Sequence, residues 1–310
     1  MVSPSDNAAV AGRGRVLLTG ANGFTGKYVR AELEAAGYTV VGAVVGAAKG
    51  VHEVTLDITS VDDCRRVMEK LRPDYMVHLA AISFVQHADA DAFYRVNVIG
   101  TINLLQAMAD AQLSPRRILI ASSANVYGNA TAGVISESQP PQPVNHYAVS
   151  KLAMEFMAKT WCDRLPIVLT RPFNYTGVGQ EPHFLVPKIV SHFVQRSPVI
   201  ELGNLDVERD FSDVRMVARA YRGLLEADCA GQTVNICSGR PYSLRTIIDT
   251  MQTLAGYDIE VRVNPAFVRQ SEVKTLVGSP DKLRALVGGL EAIPLDETLR
   301  WMYSTGNNQK

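Results

Sequence analysis

Tyr147 and Lys151 stand four residues apart in Tyr147-Ala148-Val149-Ser150-Lys151. On a helix that spacing puts both side chains on one face. An ammonium beside a phenol favours the phenolate and lowers the phenol's pKa. Such a tyrosine can exchange a proton with a carbonyl or an alcohol near neutral pH. Alone, the pair is a common surface spacing. A second segment gives it a use. Ala121-Ser122-Ser123-Ala124-Asn125-Val126-Tyr127-Gly128 follows an apolar run, and a serine hydroxyl placed there can polarise the same carbonyl.

Proton exchange at a carbonyl needs an electron partner, and a third segment provides for one. Thr19-Gly20-Ala21-Asn22-Gly23-Phe24-Thr25-Gly26 follows a first apolar strand and opens a helical pattern, with glycines spaced GxxGxxG. A sharp turn of this kind brings backbone N–H groups and a helix N-terminus against a pyrophosphate, and a Cβ at Gly20 or Gly23 would block the approach. Gly26 lets the helix lie close to the strand. The reading is a dinucleotide site, with Gly20, Asn22, Gly23, Phe24, Thr25 and Gly26 as candidate contacts. Further candidates are Asp57 and Ile58 after strand three, Leu79, Ala80 and Ala81 after strand four, then Asn97, Tyr147, Lys151 and Pro172. Strand two ends in Gly42-Ala43-Val44-Val45-Gly46, without the acid that commonly holds a ribose 2′-hydroxyl in NAD sites. The missing carboxylate removes repulsion toward a 2′-phosphate, and Lys27, Arg30 and Lys49 are nearby cations. NADP(H) is favoured, with NAD(H) open. Asp57 suits either an adenine amino group or a helix-start cap.

These residues need a frame. Arg15–Thr19, Thr39–Val45, His52–Leu56, Tyr75–Leu79, Arg117–Ala121 and Ile167–Thr170 read as strands. Helical patterns alternate with them at Phe24–Ala36, from Ser60, at Ala90–Ala111 and at Tyr147–Asp163. The fold expected is α/β, a Rossmann-type doubly wound parallel sheet with a smaller C-terminal substrate-binding lobe. After Arg171 the texture turns irregular, with Pro172, Pro182, Pro187 and Pro198. Asp213–Ala227 and Leu244–Ala255 are helical again, and Thr233–Cys237 and Ile259–Val263 read as strands. The expected division is a tail over 1–13, a dinucleotide domain over 14–171 that also receives 205–238, a substrate lobe from 172–204 and 239–303, and a tail over 304–310.

The bulk numbers suit an enzyme of this size. The chain has 310 residues, 47% hydrophobic and 20% charged. Lys plus Arg and Asp plus Glu are both 31, so no general basic field exists to hold nucleic acid. The four cysteines show no CxxC or zinc-like spacing and read as reduced thiols of a cytoplasmic protein with no metal. Met1 to Gly12 has no apolar core of a signal peptide, and no stretch is apolar enough to span a membrane.

In order, the TGxxGFxG turn, Leu79-Ala80-Ala81, Asn97-Val98-Ile99-Gly100-Thr101, the Ser122–Gly128 segment and YxxxK resemble the extended short-chain dehydrogenase/reductase family. The resemblance implies Ser123, Tyr147 and Lys151 as the catalytic triad, with Asn97 supporting a proton relay or serving as a buried amide. Dehydratases of this family carry an acid at the position of Asn125, and an amide has no basicity to replace it. Dehydration is discounted; reduction and 4-epimerisation remain.

The second half resembles the GDP-sugar branch, which holds GDP-mannose dehydratases and GDP-4-keto-6-deoxy-D-mannose reductases. Arg171-Pro172-Phe173-Asn174 with Gly177, Gly179 and Gln180 carries the likeness, as do Gly203-Asn204-Leu205, Arg209-Asp210-Phe211, Asn235–Gly239 and Arg269–Val273. Met216 and Gln270 depart from the branch pattern. The implied reaction is reduction of the C4 ketone of a GDP-4-keto-6-deoxy-hexose, giving GDP-D-rhamnose. Candidate substrate contacts are Ser83, Asn125, Asn174, Lys188, Asn204, Arg209, Arg269 and Glu272. Bland alternatives stand beside them: Arg209 pairing Asp210 or Asp213, Arg269 pairing Glu272, Asn174 capping its loop. His146, His183 and Phe184 are candidates to line the pocket, and His78 reads as a core histidine. The broad apolar faces of the Ala90–Ala111 and Tyr147–Asp163 helices, paired in related enzymes, point to a homodimer through a four-helix interface. The rivals are a 4-epimerase with tightly held NAD and a non-catalytic NADP-binding regulator, which commonly lacks YxxxK.

Overall fold

Along the first strand, Val16 and Leu18 face one side and Leu17 the other, all fully buried. A strand hidden on both faces is the mark of a sheet covered by helices on each side. In the computed structural model, which describes residues 12–83, 89–130, 133–267 and 274–308, that is what forms. The elements run β1 Arg15–Thr19, α1 Phe24–Ala35, β2 Thr39–Val44, β3 Glu53–Thr55, α2 Val61–Leu71 and β4 Tyr75–His78. Then come α3 Ala90–Phe93, a π-helical turn Tyr94–Ile99, α4 Gly100–Asp110, β5 Arg117–Ala121, a 3-10 turn Ala124–Tyr127, β6 Val134–Ile135 and α5 His146–Lys159. Next are β7 Ile167–Pro172, β8 Asn174–Thr176, α6 Leu185–Val194, β9 Val199–Leu202, β10 Glu208–Asp213, α7 Val214–Glu226 and β11 Thr233–Ile236. The chain closes with β12 Pro241–Ser243, α8 Leu244–Ala255, β13 Glu260–Val263, β14 Thr275–Gly278, α9 Asp281–Leu286 and α10 Leu295–Asn307.

Seven parallel strands in the order β11-β7-β5-β4-β1-β2-β3 make the main sheet of this Rossmann-like fold. On one face, Val29 and Leu33 of α1 meet Val217, Tyr221 and Leu224 of α7. On the other, α2, α4 and α5 cover Leu17, Met76, Ile118 and Ile120. A separate core packs α6, α8 and α10 around Val186, Phe193, Ile247, Met251 and Leu299.

The structure moves several expected boundaries. Strand β10, grouped by sequence with the dinucleotide domain, pairs with β8, β12 and β14 in a second sheet; only α7 and β11 from 205–238 join the main one. The reason is its burial pattern: Asp210, Ser212 and Asp213 are all buried polar residues, the two carboxylates satisfied by hydrogen bonds within the second layer, not against the apolar face of the main sheet. The expected tail from 304 is helical through Asn307, because Thr305 Oγ1 donates to Trp301 O at 2.9 Å and Gly306 sits against Val194. The proline-rich segment holds α6, with Pro187 in the first turn, where no N–H is required. The Ala90–Ala111 pattern is not uniform α-helix, since six residues, Tyr94–Ile99, form a π-helical turn.

The contact between α1 and the strand it follows is tight. A Cβ on Gly26 would lie 2.2 Å from Gly20 O and 2.8 Å from Ala21 Cα. Gly26→Ala is expected to displace α1 at a cost of roughly 2–3 kcal/mol. A fall in the urea midpoint with unchanged slope checks this; an unchanged midpoint would mean the helix yields freely.

Candidate active site

Strand β1 ends in the glycine turn. Gly20 has φ +70°, and a Cβ there would come 2.9 Å from Ala80 N, so the turn is pressed on the end of β4. Helix α1 starts at Gly23 with no side-chain cap and no acid in its first turn. Its leading N–H groups therefore have no anionic side chain of their own, an arrangement that fits a pyrophosphate. Leu79, Ala80 and Ala81 flank the turn half-buried, Ile58 is buried against Gly100, and Pro172 is buried at the end of β7. Asp57 is exposed, and its Oδ1 accepts from Thr59 N and Oγ1 at 2.9 and 2.7 Å in a local turn; the cap of α2 is Ser60, whose Oγ accepts from Asp63 N. At the end of β2, Val45 is 89% exposed. The first carboxylate beyond it, Glu53, accepts from Lys49 N at 2.8 Å. Arg30 lies beside Gly42 and pairs with Glu34.

Helix α5 begins at Asn145, whose side chain accepts from Ala148 N at 2.9 Å, and it buries Tyr147, Lys151 and Glu155 on one face. Lys151 Nζ donates to Ala121 O, at the end of β5, at 2.7 Å. Ser123 follows two residues on, buried, and its Oγ accepts from Asn125 N at 3.2 Å. The structure thus brings Ser123, Tyr147 and Lys151 together at the C-terminal ends of the strands. Burial pushes the Tyr147 phenol up to about 12, with Ser123's hydrogen bond pulling down and Tyr175 adding to the rise. Burial also draws Lys151 down to about 8, against the pull of Glu155. The expectation that Lys151 lowers the phenol is not met, because the ammonium is turned to the Ala121 carbonyl and desolvation acts on both groups. At neutral pH the site holds a protonated tyrosine and a cationic lysine.

Behind this pair runs a buried polar chain. Leu79 N and Ala80 N both donate to Thr19 Oγ1, at 3.2 and 3.1 Å. With its lone pairs taken, the Thr19 hydroxyl donates to His78 Nδ1 at 2.7 Å. His78 Nε2 then carries the hydrogen and donates to Thr101 Oγ1 at 2.9 Å, which donates to Asn97 O at 2.7 Å. Burial, and then the charge of Lys151, hold His78 down at about 3, so it is a neutral core histidine. Asn97 sits in the π turn. Its Oδ1 accepts from Ile82 N at 3.0 Å, and its Nδ2 donates to Ile82 O at 3.3 Å and Ser150 Oγ at 3.0 Å. The amide is satisfied, and it ties the β4 loop to α5.

The substrate candidates are more dispersed. Asn125 and Ser83 are exposed beside the strand ends. Asn174 Nδ2 donates to Asp210 O at 3.3 Å, joining β8 to β10. Lys188 Nζ donates to Glu201 O at 2.8 Å and lies 4.7 Å from the Phe267 ring centroid. Asn204 is exposed, and its Oδ1 accepts from Asp206 N. Arg209 Nη1 donates to Glu208 O at 2.8 Å. Neither suggested partner of Arg209 is available to it by preference. Asp210 takes Ser238 N, Ser238 Oγ and Gly239 N within 2.9 Å, and Asp213 holds Arg215 and Thr298. Arg269 and Glu272 lie outside the described residues. His183 stacks on Phe184 and His146 meets Tyr94, both at the site's rim.

Three residues escaped the sequence reading. Arg171 forks onto Glu155 at 2.9 and 2.6 Å inside the fold. Tyr175 stacks on Phe24 and hydrogen-bonds Thr25 Oγ1 at 2.7 Å, linking β8 to the glycine turn. The Glu155 signal was available: an acid four residues past Lys151 on an otherwise apolar face.

A doubly wound sheet, an uncapped glycine turn and a buried Ser–Tyr–Lys set define an NAD(P)-dependent oxidoreductase. Residues 17–302 match the family model described as GDP-mannose 4,6 dehydratase. The chain belongs to that family. It is 38% identical over 275 residues to GDP-6-deoxy-D-talose 4-dehydrogenase of Aggregatibacter actinomycetemcomitans, covering 88% of this chain and 91% of that one. It is 32% identical over 301 residues to GDP-6-deoxy-D-mannose reductase of Pseudomonas aeruginosa, covering 94% and 96%. Among solved structures, a Burkholderia cenocepacia J2315 protein provisionally described as an epimerase is 49% identical, with TM-score 0.91 over 96% of this chain and 99% of that one. RMD from Pseudomonas aeruginosa, complexed with NADPH, is 30% identical, with TM-score 0.85 over 96% and 100%.

The His78 chain carries a pH consequence. Its folded pKa lies near 3 against about 6.5 unfolded, so the unfolded chain binds an extra proton between those values. Stability from this group is whole above pH 6.5 and is lost as pH falls toward 3, at up to about 1.4 kcal/mol per pH unit. Urea unfolding at pH 6 and pH 4 checks it: His78→Asn should flatten the slope by about one proton. Equal slopes would show that His78 carries a proton in the fold.

Proposed function

We propose that this protein reduces the C4 ketone of a GDP-4-keto-6-deoxy-hexose, with NADPH favoured over NADH. One observation carries the reading: a protonated, buried Tyr147 beside Ser123 and Lys151, with Asn125 where a dehydratase needs an acid. When bound, the nicotinamide supplies the hydride. Ser123 orients the ketone oxygen, Tyr147 hands its phenolic proton to that oxygen, and Lys151 holds positive charge beneath. The cofactor would lie on Gly20–Gly26, Leu79–Ala81 and Pro172, with Lys151 at the ribose. The absence of an acid after β2 and the NADPH of the RMD structure support the phosphorylated cofactor. The lobe built on α6, α8 and α10 would take the sugar nucleotide, with Asn174, Lys188, Asn204, Arg209, Arg269 and Glu272 as its polar contacts.

For the GDP-4-keto-6-deoxy-D-mannose substrate, attack on one face of the ketone gives GDP-D-rhamnose. Attack on the other gives GDP-6-deoxy-D-talose, which the 38% identical relative favours. Purified protein incubated with that ketone should oxidise NADPH, and the product's C4 configuration identifies the face. No loss of absorbance at 340 nm with either cofactor would end the reductase reading. Stoichiometric NAD in the protein as purified would favour an epimerase. Tyr147→Phe should lower kcat by roughly 10²–10⁴ while cofactor affinity stays within a few-fold; near-normal turnover would remove the proton-donor role.

We infer in addition a homodimer through α4 and α5. Val149, Phe156 and Met157 of α5, with Ile99 before α4, are large apolar side chains left 38% to 59% exposed. Such a patch is unusual on a monomer. No helix among the described residues is long and apolar enough to cross a membrane. The unpaired cysteines suit the cytoplasm. Sedimentation equilibrium should give twice the chain mass for the wild type and the chain mass for Phe156→Asp; a monomeric wild type at micromolar concentration would overturn the interface.

A further inference from the structure

Lys151 is 3% exposed, and its Nζ donates to a neutral carbonyl, Ala121 O, at 2.7 Å. A buried ammonium so placed tends to shed its proton. One turn further along the same face of α5 lies Glu155, 1% exposed. Its two oxygens meet Arg171 Nε and Nη2 at 2.9 and 2.6 Å. Arg171, at the end of β7, is 4% exposed and lies over the Tyr127 ring at 4.8 Å. Tyr127 in turn donates to Asn235 Oδ1 on β11 at 2.7 Å. The carboxylate is therefore locked in direction as well as place, and Arg171 prevents it from swinging toward Lys151.

The other groups facing this cluster do not substitute for it. On α5 itself there is the Tyr147 phenol. His78 on β4 is neutral, its basicity depressed by burial and then by Lys151. Tyr175 on β8 and Tyr221 on α7 are phenols raised by burial. Tyr94 turns to His146, while Asp91, Arg95 and Asp110 of the helices alongside are solvent-facing. The buried floor thus holds two cations, Lys151 and Arg171, and the carboxylate of Glu155; the half-buried Glu137 is turned to β11, where its Oε1 accepts from Asn235 N at 2.8 Å.

Resting on the reductase reading above, we propose that Glu155 is a positioning residue, the fixed negative charge that keeps Lys151 cationic, with Arg171 metering its strength. The geometry separates this from a purely structural ion pair, because the two members act with opposite sign. Removing Glu155 leaves Lys151 with less reason to stay charged; removing Arg171 leaves the carboxylate unshared and Lys151 with more.

The test compares wild type with Glu155→Gln, Arg171→Gln and the double variant Glu155→Gln/Arg171→Met. The double variant matters because Glu155→Gln alone strands a buried guanidinium and can unfold the chain. Two readouts are taken. One is the NMR titration of Lys151 in protein labelled at the lysine ε-carbon, assigned with Lys151→Met and needing neither cofactor nor turnover. The other is the alkaline limb of kcat/KM for ketone reduction. Both should move acid-ward by about one pH unit in Glu155→Gln, alkaline-ward in Arg171→Gln, and acid-ward by a smaller margin in the double variant. A Lys151 titration unmoved in the folded double variant, or moved in the same direction by both single changes, overturns the proposal. An inactive wild type with these titration shifts intact would instead count against the reductase reading alone.

Discussion

A lysine ammonium held out of water and donating to a backbone carbonyl sets the terms for the centre of this molecule. A buried cation is costly unless the fold around it offers oriented dipoles and charge. The fold answers with position. Strand β5 stops so that the Ala121 carbonyl is left at its end, and α5 presses on the sheet through Ala148, Met154 and Ala158. Arg171 and Asn235 reach the same level from β7 and β11. Four parallel strands, β4, β5, β7 and β11, therefore supply polar groups at one depth, which follows from their common direction.

The second constraint is that the tyrosine and the glycine turn must keep their separation although they lie on different elements. Asn97 meets it. A π turn adds a residue to the hydrogen-bonded ring and widens the helix locally. Here it places Asn97's amide between the Ile82 backbone and Ser150 on α5, while its carbonyl takes the Thr101 hydroxyl. Through Thr101, His78 and Thr19 the tie continues to the N–H groups of Leu79 and Ala80, which lie directly against Gly20. A protonated His78 would present a hydrogen to Thr19, whose oxygen already accepts two. Neutrality of that imidazole is thus a condition of the network.

Much of this was legible in the residues. Strand β1 and helix α8 begin and end where the periodicity puts them, and the strand ends that carry the motifs are within a residue or two. Apolar runs bounded by glycine leave few choices. The second sheet was not legible, because β10 buries Asp210, Ser212 and Asp213 and so has no alternation to read. Helix α6 was obscured by Pro187, which reads as a breaker until its place in the first turn is known. The charge state of the catalytic pair was misjudged for a different reason. Spacing reports which side chains share a face, but burial decides their pKa, and the neighbours of Tyr147 and Lys151, among them Phe93, Ala121 and Tyr175, are distant in sequence.

The same division explains how one family can hold different activities on nucleotide sugars. The floor, with Lys151, Glu155, Arg171, His78 and Asn97, is buried and mutually hydrogen-bonded, so a change in any member propagates. The C-terminal lobe is tied to the main sheet in part through Asp210. Asp210 gathers the N–H groups of Ser238, Gly239 and, at 3.4 Å, Gly278, joining β10 to the end of β11 and to β14. Beyond that knot Asn174, the first residue of β8, and Asn204, on the β9–β10 connection, are exposed. Residues there can change without disturbing a buried charge. Packing thus constrains the buried floor, whereas exposed positions such as Asn125, Asn174 and Asn204 carry no such constraint. Asn125 stands in a 3-10 turn capped by Ser123 itself, so the two candidate side chains are placed by one local hydrogen bond.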